Sequence, residues 1–143
     1  KAVVKASPQV INHNVESVPY LYPEVRPEAD YNHSIELLFR VKEQDPEIVT
    51  KSGLMLGLGE TREEVIEVMH DLREADCDLL TIGQYLQPSP EHHLVVRMIP
   101  PEEFAEYRDI GKDMGFIEVA SAPLVRSSFK AAELYVKAKG CPA

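Results

Sequence analysis

Cysteine is scarce in this chain of 143 residues, which carries only Cys77 and Cys141. The two residues lie far apart and show no metal-ligand spacing, so they support neither a disulfide framework nor a metal site. A reducing compartment is therefore the default. Cys77 stands at the end of a predicted helix, just before the apolar pair Leu79 and Leu80, and is predicted to be a small core or boundary residue.

Basic runs and long apolar runs are also absent. Against 24 Asp and Glu residues the chain has 15 Lys and Arg residues, and the resulting formal charge of -9 opposes binding to phosphate backbones. Residues 1–5 lack the apolar core of a signal peptide, and no apolar run approaches the ~20 residues that span a bilayer. We therefore expect no nucleic-acid partner and no membrane partner. The remaining composition, 44% hydrophobic and without tryptophan, is typical of a single soluble domain.

Apolar strands alternate with amphipathic helices along the chain. The predicted strands are 10–12, 50–58, 79–84 and 116–120, and the predicted helices are 18–22, 31–44, 61–75, 101–114 and 127–138. Helix 31–44 is predicted to direct Ile35, Leu38, Phe39 and Val41 inward. Strands separated by helices form βα units with a parallel sheet. Because a complete eight-stranded barrel needs ~200 residues or more, four strands predict an open sheet or part of a (β/α) barrel.

The segment 51–61, KSGLMLGLGET, is the most informative stretch because an apolar strand runs through a glycine-rich turn into a helix. Thr61 and Glu64 form a predicted capping box at the start of that helix. Gly57 and Gly59 leave the backbone open to a flat ligand, or else they only relieve strain in a tight turn. A phosphate-binding loop would need Lys and Ser or Thr after the last glycine, and a dinucleotide fingerprint would need glycine where Arg62 stands.

Polar residues cluster where each predicted strand ends. Asn14 and Glu16 follow the first strand, Lys51 lies within the second, and Gln84 ends the third. The amide and carboxylate suit ribose hydroxyls, although an Asx turn is the alternative for Asn14. His13, between two asparagines, is read as a hydrogen-bonded scaffold residue rather than a catalytic one.

Two further polar positions each admit two interpretations. Arg26 lies in a proline-rich loop, and its guanidinium suits either a carboxylate ligand or a surface salt bridge. The serines of Arg126-Ser127-Ser128 could cap the predicted last helix or take part in a site.

These residues together resemble lipoyl synthase, a radical S-adenosylmethionine enzyme. The resemblance extends over essentially the whole chain, which corresponds to the C-terminal half of the family's sequence. The matching strings are NHN at 12–14, EVRP at 24–27, ADY at 29–31, TKSGLM at 50–55, GLGET at 57–61, GQYLQPS at 83–89 and PLVRSS at 123–128. The resemblance implies a partial TIM-like (β/α) barrel of the radical S-adenosylmethionine type, of which residues 1–143 form the C-terminal portion. Residues 121–143 would be a C-terminal extension that carries the Arg-Ser-Ser motif.

The implied reaction inserts two sulfur atoms into the octanoyl chain of a lipoyl carrier protein or lipoyl domain. The implied cofactors are S-adenosylmethionine and two four-iron four-sulfur clusters, with ferredoxin or flavodoxin as electron donor. The residues that would contact S-adenosylmethionine are Asn14, Glu16, Arg26, Lys51, Gly53, Met55, Gly57, Gly59, Glu60 and Gln84. Ser128, or with less support Ser127, would ligate the auxiliary cluster. The implied location is the cytoplasm of a bacterium, or the mitochondrion or plastid of a eukaryote.

The cysteine triplets that hold both clusters in the family are absent from this sequence. The chain begins at Lys1, in what is read as the end of a helix or connection, so we expect further sequence upstream and no lipoylation by this polypeptide alone. A sulfur-inserting enzyme similar to biotin synthase is one alternative, disfavoured by the Arg-Ser-Ser motif. A non-catalytic βα binding module is the other.

Overall fold

The computed structural model of this chain describes residues 10–22, 30–92 and 94–125. Its elements are β1 (Val10–Asn12), a 3-10 helix (Pro19–Leu21), α1 (Tyr31–Gln44), β2 (Val49–Leu56), α2 (Arg62–Glu74), β3 (Leu79–Gln84), α3 (Pro101–Met114) and β4 (Glu118–Ser121). The predicted helix 127–138 lies outside the described residues, and so do Arg26, Ser127 and Ser128.

The four strands form one parallel sheet in the order β1-β2-β3-β4. A sheet whose strand order follows the chain keeps its connections on one side, as in a (β/α) barrel, whereas a doubly wound sheet reverses its order. The prediction of an α/β fold with parallel strands, consistent with a partial barrel, is therefore confirmed.

The two faces of the sheet have different coverings. Leu54, Leu56, Leu80 and Ile82 belong to the main core, together with apolar residues of all three helices. Because successive strand residues alternate between faces, the intervening residues of β2 and β3 lie on the opposite face. That opposite face, which we call the inner face, carries a small apolar cluster around Val49 and Leu79, at the amino ends of β2 and β3.

The second helix begins as its sequence predicts. The Thr61 side chain accepts from the Glu64 backbone N–H, and the Glu64 carboxylate accepts from the Thr61 N–H, which completes the capping box. Val65, Val68, Met69 and Leu72 are buried on the face toward the sheet. These reciprocal bonds satisfy two backbone donors that a helix start leaves without partners, so the turn before α2 has a fixed end.

Several details of the prediction differ from the structure. Phe39 is 43% exposed, and its predicted inward position is wrong because the buried stripe of α1 runs through Tyr31, Ser34, Leu38 and Val41. Residue 39 lies about 100° around the helix from residue 38 and so falls outside that stripe.

β2 ends at Leu56 rather than residue 58, because Gly57 takes a φ of 102°. β4 begins at Glu118 rather than residue 116, after a turn closed by Gly115 at φ 107°.

Cys77 is a core residue, as its sequence context predicts. It is fully buried, and its thiol lies 3.3 Å from the Leu79 carbonyl oxygen. Burial raises the pKa of the Cys77 thiol to about 12. The side chain therefore stays a neutral thiol near neutral pH and does not supply the thiolate that a metal needs.

Among the described residues, no helix is both long and apolar enough to cross a bilayer.

The turn after β2 is held by the segment 94–99. The Val96 N–H donates to the Gly57 carbonyl at 2.7 Å, and the Ile99 N–H donates to Gln84 Oε1 at 2.8 Å. A Cβ atom on Gly57 would lie 2.5 Å from the Arg97 carbonyl oxygen and would also collide with the Gln84 amide. This contact between backbones requires glycine at position 57.

We expect Gly57→Ala to lower the free energy of unfolding by about 2–4 kcal/mol, from backbone strain and the collision with Arg97 and Gln84. Gly59→Ala is the matched control, since Gly59 also has a positive φ but its Cβ would meet only Val96 Cγ2, at 3.8 Å. The control should lose only about 1–2 kcal/mol of strain energy. Urea denaturation of both variants measures the difference, and equal losses would contradict the close contact at position 57.

Candidate functional site

A cavity of about 350 Å³ opens on the inner face, toward the carboxyl ends of β2 and β3. Its size falls within the usual range for small-molecule sites. Eleven residues line it: Asn14, Glu16, Gly53, Leu54, Met55, Thr81, Gly83, Tyr85, Leu86, Pro88 and Val125. In a parallel α/β sheet this end of the strands is where ligands bind. Four residues that the sequence analysis selected, Asn14, Glu16, Gly53 and Met55, are brought together here.

Gly53 keeps the floor of the cavity open. A Cβ atom at this position would lie 2.8 Å from Asn14 Oδ1 and 2.9 Å from Thr81 Oγ1. Gly83, two residues beyond Thr81 on β3, pairs with Met55 and also lines the cavity. Because neither glycine has a side chain, a slot runs along the paired main chains of β2 and β3, where a flat ring can approach the backbone.

The segment after β1 places Asn14 and Glu16 beside this slot. The His13 N–H donates to the Lys51 carbonyl at 3.0 Å, and the Glu16 N–H donates to the Gly53 carbonyl at 2.9 Å. The chain thus runs parallel to β2 for several residues after β1 ends, with an isolated bridge between Glu16 and Leu54. His13 Nε2 lies 3.0 Å from Ser34 Oγ on α1, which fits the scaffold role expected from its sequence.

Lys51 lies one step below Gly53 on the same face of β2, since residues 51 and 53 point the same way. Its side chain is 2% exposed, and it is not among the residues that line the cavity. Burial lowers the pKa of the Lys51 ammonium. Along β2, Lys51 lies on the inner face between Gly53 at the cavity floor and Val49 of the small apolar cluster.

The turn residues Gly57, Gly59 and Glu60 stand just beyond β2 and outside the cavity lining. The Glu60 carboxylate accepts from the Gly57 N–H and from the Leu58 N–H, each at 3.0 Å. A carboxylate held by two backbone donors fixes the shape of the turn. In this structure Glu60 therefore organises the end of β2.

Gln84 lies on the helix-covered face of β3 and holds the segment 94–99. Its amide nitrogen donates to the Tyr85 carbonyl at 2.9 Å and to the Arg97 carbonyl at 3.1 Å. Its amide oxygen accepts from the Ile99 N–H. These bonds hold the amide on the far side of β3 from the cavity, where it fixes the position of segment 94–99.

Thr81 was missed by the sequence analysis, although its hydroxyl faces the cavity floor. It is buried and pairs in register with Gly53. The alternation of faces would have selected it only once the register of β3 against β2 was known.

Tyr85, which follows β3, lines the cavity as well, and burial raises the pKa of its phenol.

Among residues 10–22, 30–92 and 94–125, no group of three or more His, Cys, Asp or Glu side chains could hold a metal ion. Cys77, the free cysteine in this part of the chain, is fully buried in the main core. The described residues therefore do not fit an iron-sulfur cluster. They do fit a ligand with a flat ring and hydroxyl groups, because a glycine-lined slot lies beside an amide and a carboxylate.

Comparison with curated proteins identifies a relative of this chain. The lipoyl synthase of Caldanaerobacter subterraneus subsp. tengcongensis is 62% identical over 131 residues, which cover 92% of this chain. The matched region is 46% of that relative, so the chain spans about half the length of the curated protein it matches. No family model matches the chain. At this identity over nearly all of its length, the chain is homologous to the C-terminal part of that lipoyl synthase.

Proposed function

We propose that this chain is the part of a lipoyl synthase that binds the adenosyl group of S-adenosylmethionine. The observation that carries the proposal is the slot above Gly53, where a Cβ atom would fill the space between Asn14 and Thr81. A planar adenine fits a slot whose floor is main chain and whose walls are apolar, here Met55 and Leu86 among others. The identity to a lipoyl synthase supports the same assignment.

Each proposed contact has a chemical reason. The Glu16 carboxylate and the Asn14 amide line the cavity and can hydrogen-bond the two hydroxyls of a ribose. Gly53 and Met55 would face the adenine, and the turn with Gly57, Gly59 and Glu60 would support that wall from behind. Gln84 would act in the same indirect way, through segment 94–99.

The remaining proposed contacts concern the amino acid end of S-adenosylmethionine. Arg26, which lies outside the described residues, would pair with the carboxylate, because a guanidinium binds carboxylates in a bidentate manner. Lys51 would add positive charge on the inner face, below the floor.

The whole enzyme would insert two sulfur atoms into the octanoyl chain on a lipoyl carrier protein or lipoyl domain, with ferredoxin or flavodoxin as electron donor. When bound, two four-iron four-sulfur clusters supply the electron for cleavage of S-adenosylmethionine and the sulfur for insertion. The described residues do not fit a cluster, so their contribution is to bind the adenosyl group, orient it and exclude water around it. Ser128, with Ser127 as the second choice, is the proposed ligand from this chain to the auxiliary cluster.

The affinity of the chain for S-adenosylhomocysteine, a stable analogue with the same adenosyl group, tests the proposal by isothermal titration calorimetry. We expect Glu16→Gln to weaken binding about tenfold, because a neutral amide oxygen is a weaker hydrogen-bond acceptor than a carboxylate oxygen. Glu91→Gln is the matched control, since it makes the same change of charge at an exposed position outside the cavity. Gly53→Ala should weaken binding while circular dichroism shows a folded protein.

Equal affinities for both glutamine variants, or tight binding by Gly53→Ala, would contradict the proposed adenosyl site. If the chain binds the analogue but the chimera described below forms no lipoyl product, the alternative of a βα binding module is favoured.

A chimera tests the role of the serines. The N-terminal part of the Caldanaerobacter relative would be joined to this chain at the start of the matched region and loaded with iron and sulfide without oxygen. We expect Ser128→Ala to reduce the iron content and the lipoyl product, because a ligand to the auxiliary cluster is removed. Ser127→Ala is the matched control and should retain both. The reverse pattern would assign Ser127 instead, and full iron content in both variants would remove the serines from the cluster.

A further inference from the structure

Glu16 has an unusual backbone for a residue that is not glycine. Its φ is 70°, and the Ser17 N–H donates to the Val15 carbonyl at 2.8 Å across it. A hydrogen bond from residue i+2 to residue i around a central φ near +75° defines the classic γ-turn, which is rare and strained. Positive φ costs an L-residue free energy, and such strain persists only where the surroundings enforce it.

The main chain of β2 enforces part of this conformation. The Glu16 N–H donates to the Gly53 carbonyl, and the Met55 N–H donates to the Glu16 carbonyl, each at 2.9 Å. These bonds fix both polar groups of Glu16 on the strand that forms the cavity floor. The angle φ of Glu16 also depends on the orientation of the preceding peptide group, which joins Val15 to Glu16.

Tyr22 holds that preceding peptide group at its carbonyl oxygen. Its hydroxyl donates to the Val15 carbonyl, while the Glu16 N–H of the same peptide donates to Gly53. The Val15 N–H in turn donates to Ser52 Oγ at 3.2 Å. With both of its polar atoms bonded to fixed partners, the peptide cannot rotate to release the strained φ of Glu16.

Tyr22 itself is firmly placed. Its side chain is 5% exposed, and its ring packs edge-on against Tyr31 with 5.7 Å between ring centroids. The Tyr31 hydroxyl donates to Asp71 Oδ2 of α2 at 2.7 Å. A rigid donor is what a strained turn needs, because a mobile hydroxyl would let the peptide relax.

From this arrangement we propose that Tyr22 is a positioning residue, which acts on the ligand through Glu16 by holding the γ-turn that directs the Glu16 carboxylate into the cavity. The proposal rests on the proposed adenosyl site, since Glu16 is the group that would contact the ligand. It assigns Tyr22 no contact with the ligand, in keeping with its absence from the cavity lining among the described residues.

A first experiment needs no ligand. At a positive φ the amide proton and the α proton of one residue lie unusually close, so their nuclear Overhauser effect is strong. We expect a strong intraresidue effect at Glu16 in the wild-type chain and a weaker one in Tyr22→Phe, which loses only the hydroxyl. Tyr107→Phe is the matched control, because it removes the hydroxyl of another buried tyrosine, which lies on α3 and not among the residues that hold the turn. An unchanged signal in Tyr22→Phe would overturn the proposal.

A second experiment joins the turn to the ligand in a double-mutant cycle with S-adenosylhomocysteine. We expect Tyr22→Phe to raise Kd about tenfold in the wild-type background and to have little effect in the Glu16→Ala background, because residues that act through one another are not additive. Equal effects in both backgrounds would assign Tyr22 a merely structural role and overturn the proposal.

The two experiments separate the possible failures. A wild-type chain with a strong Glu16 signal but no affinity for the analogue would refute the adenosyl site and the ligand part of this inference, while the turn itself would stand. Should Tyr22→Phe fail to fold, Ser52→Ala loosens the same segment at the Val15 N–H and should also weaken the Glu16 signal. Full retention of that signal in a folded Ser52→Ala protein would then count against the proposal.

Discussion

The main-chain pairing of β2 on both of its edges is the constraint on which the site depends. On one edge β2 pairs with β3 from Lys51 to Leu56, and on the other it pairs with β1 and then with the segment that contains Glu16. Both neighbours approach closely at Gly53, where Asn14 and Thr81 would meet a Cβ atom. Because Gly53 has no side chain, it leaves room for a ligand where both neighbouring segments come close to β2.

The unusual backbone conformations near the site are held by contacts elsewhere in the fold. Glu16 and Gly57 both take positive φ values, one beside the cavity and the other at the turn beyond β2. Tyr22 and the main chain of β2 hold the first, while Gln84 and segment 94–99 hold the second. The groups proposed to bind the ligand are thus fixed by residues outside the cavity, which is how a binding site is organised before its ligand arrives.

Much of the fold followed from local patterns in the sequence. The capping box at Thr61 and the apolar spacing of α2 are local signals, and they predicted that helix to within a residue at each end. Asn14 was also selected, because polar residues at strand ends are typical of ligand sites, whereas Gly53 was selected through the resemblance to lipoyl synthase. Thr81 could not be selected, since its position depends on the register between β2 and β3, which is a tertiary property. Likewise, nothing local distinguishes Gln84, which faces the helices, from a residue that faces the ligand.

The central claim is that the glycine slot on the inner face binds an adenosyl group. Titration of the isotopically labelled chain with S-adenosylhomocysteine, followed by amide resonances in NMR spectra, tests it most directly. The account predicts saturable shifts at Glu16, Gly53 and Thr81, with small changes in the groove between α1 and α2 that is lined by Tyr31 and Phe39. Absence of shifts at high ligand concentration, or shifts confined to that outer groove, would contradict it.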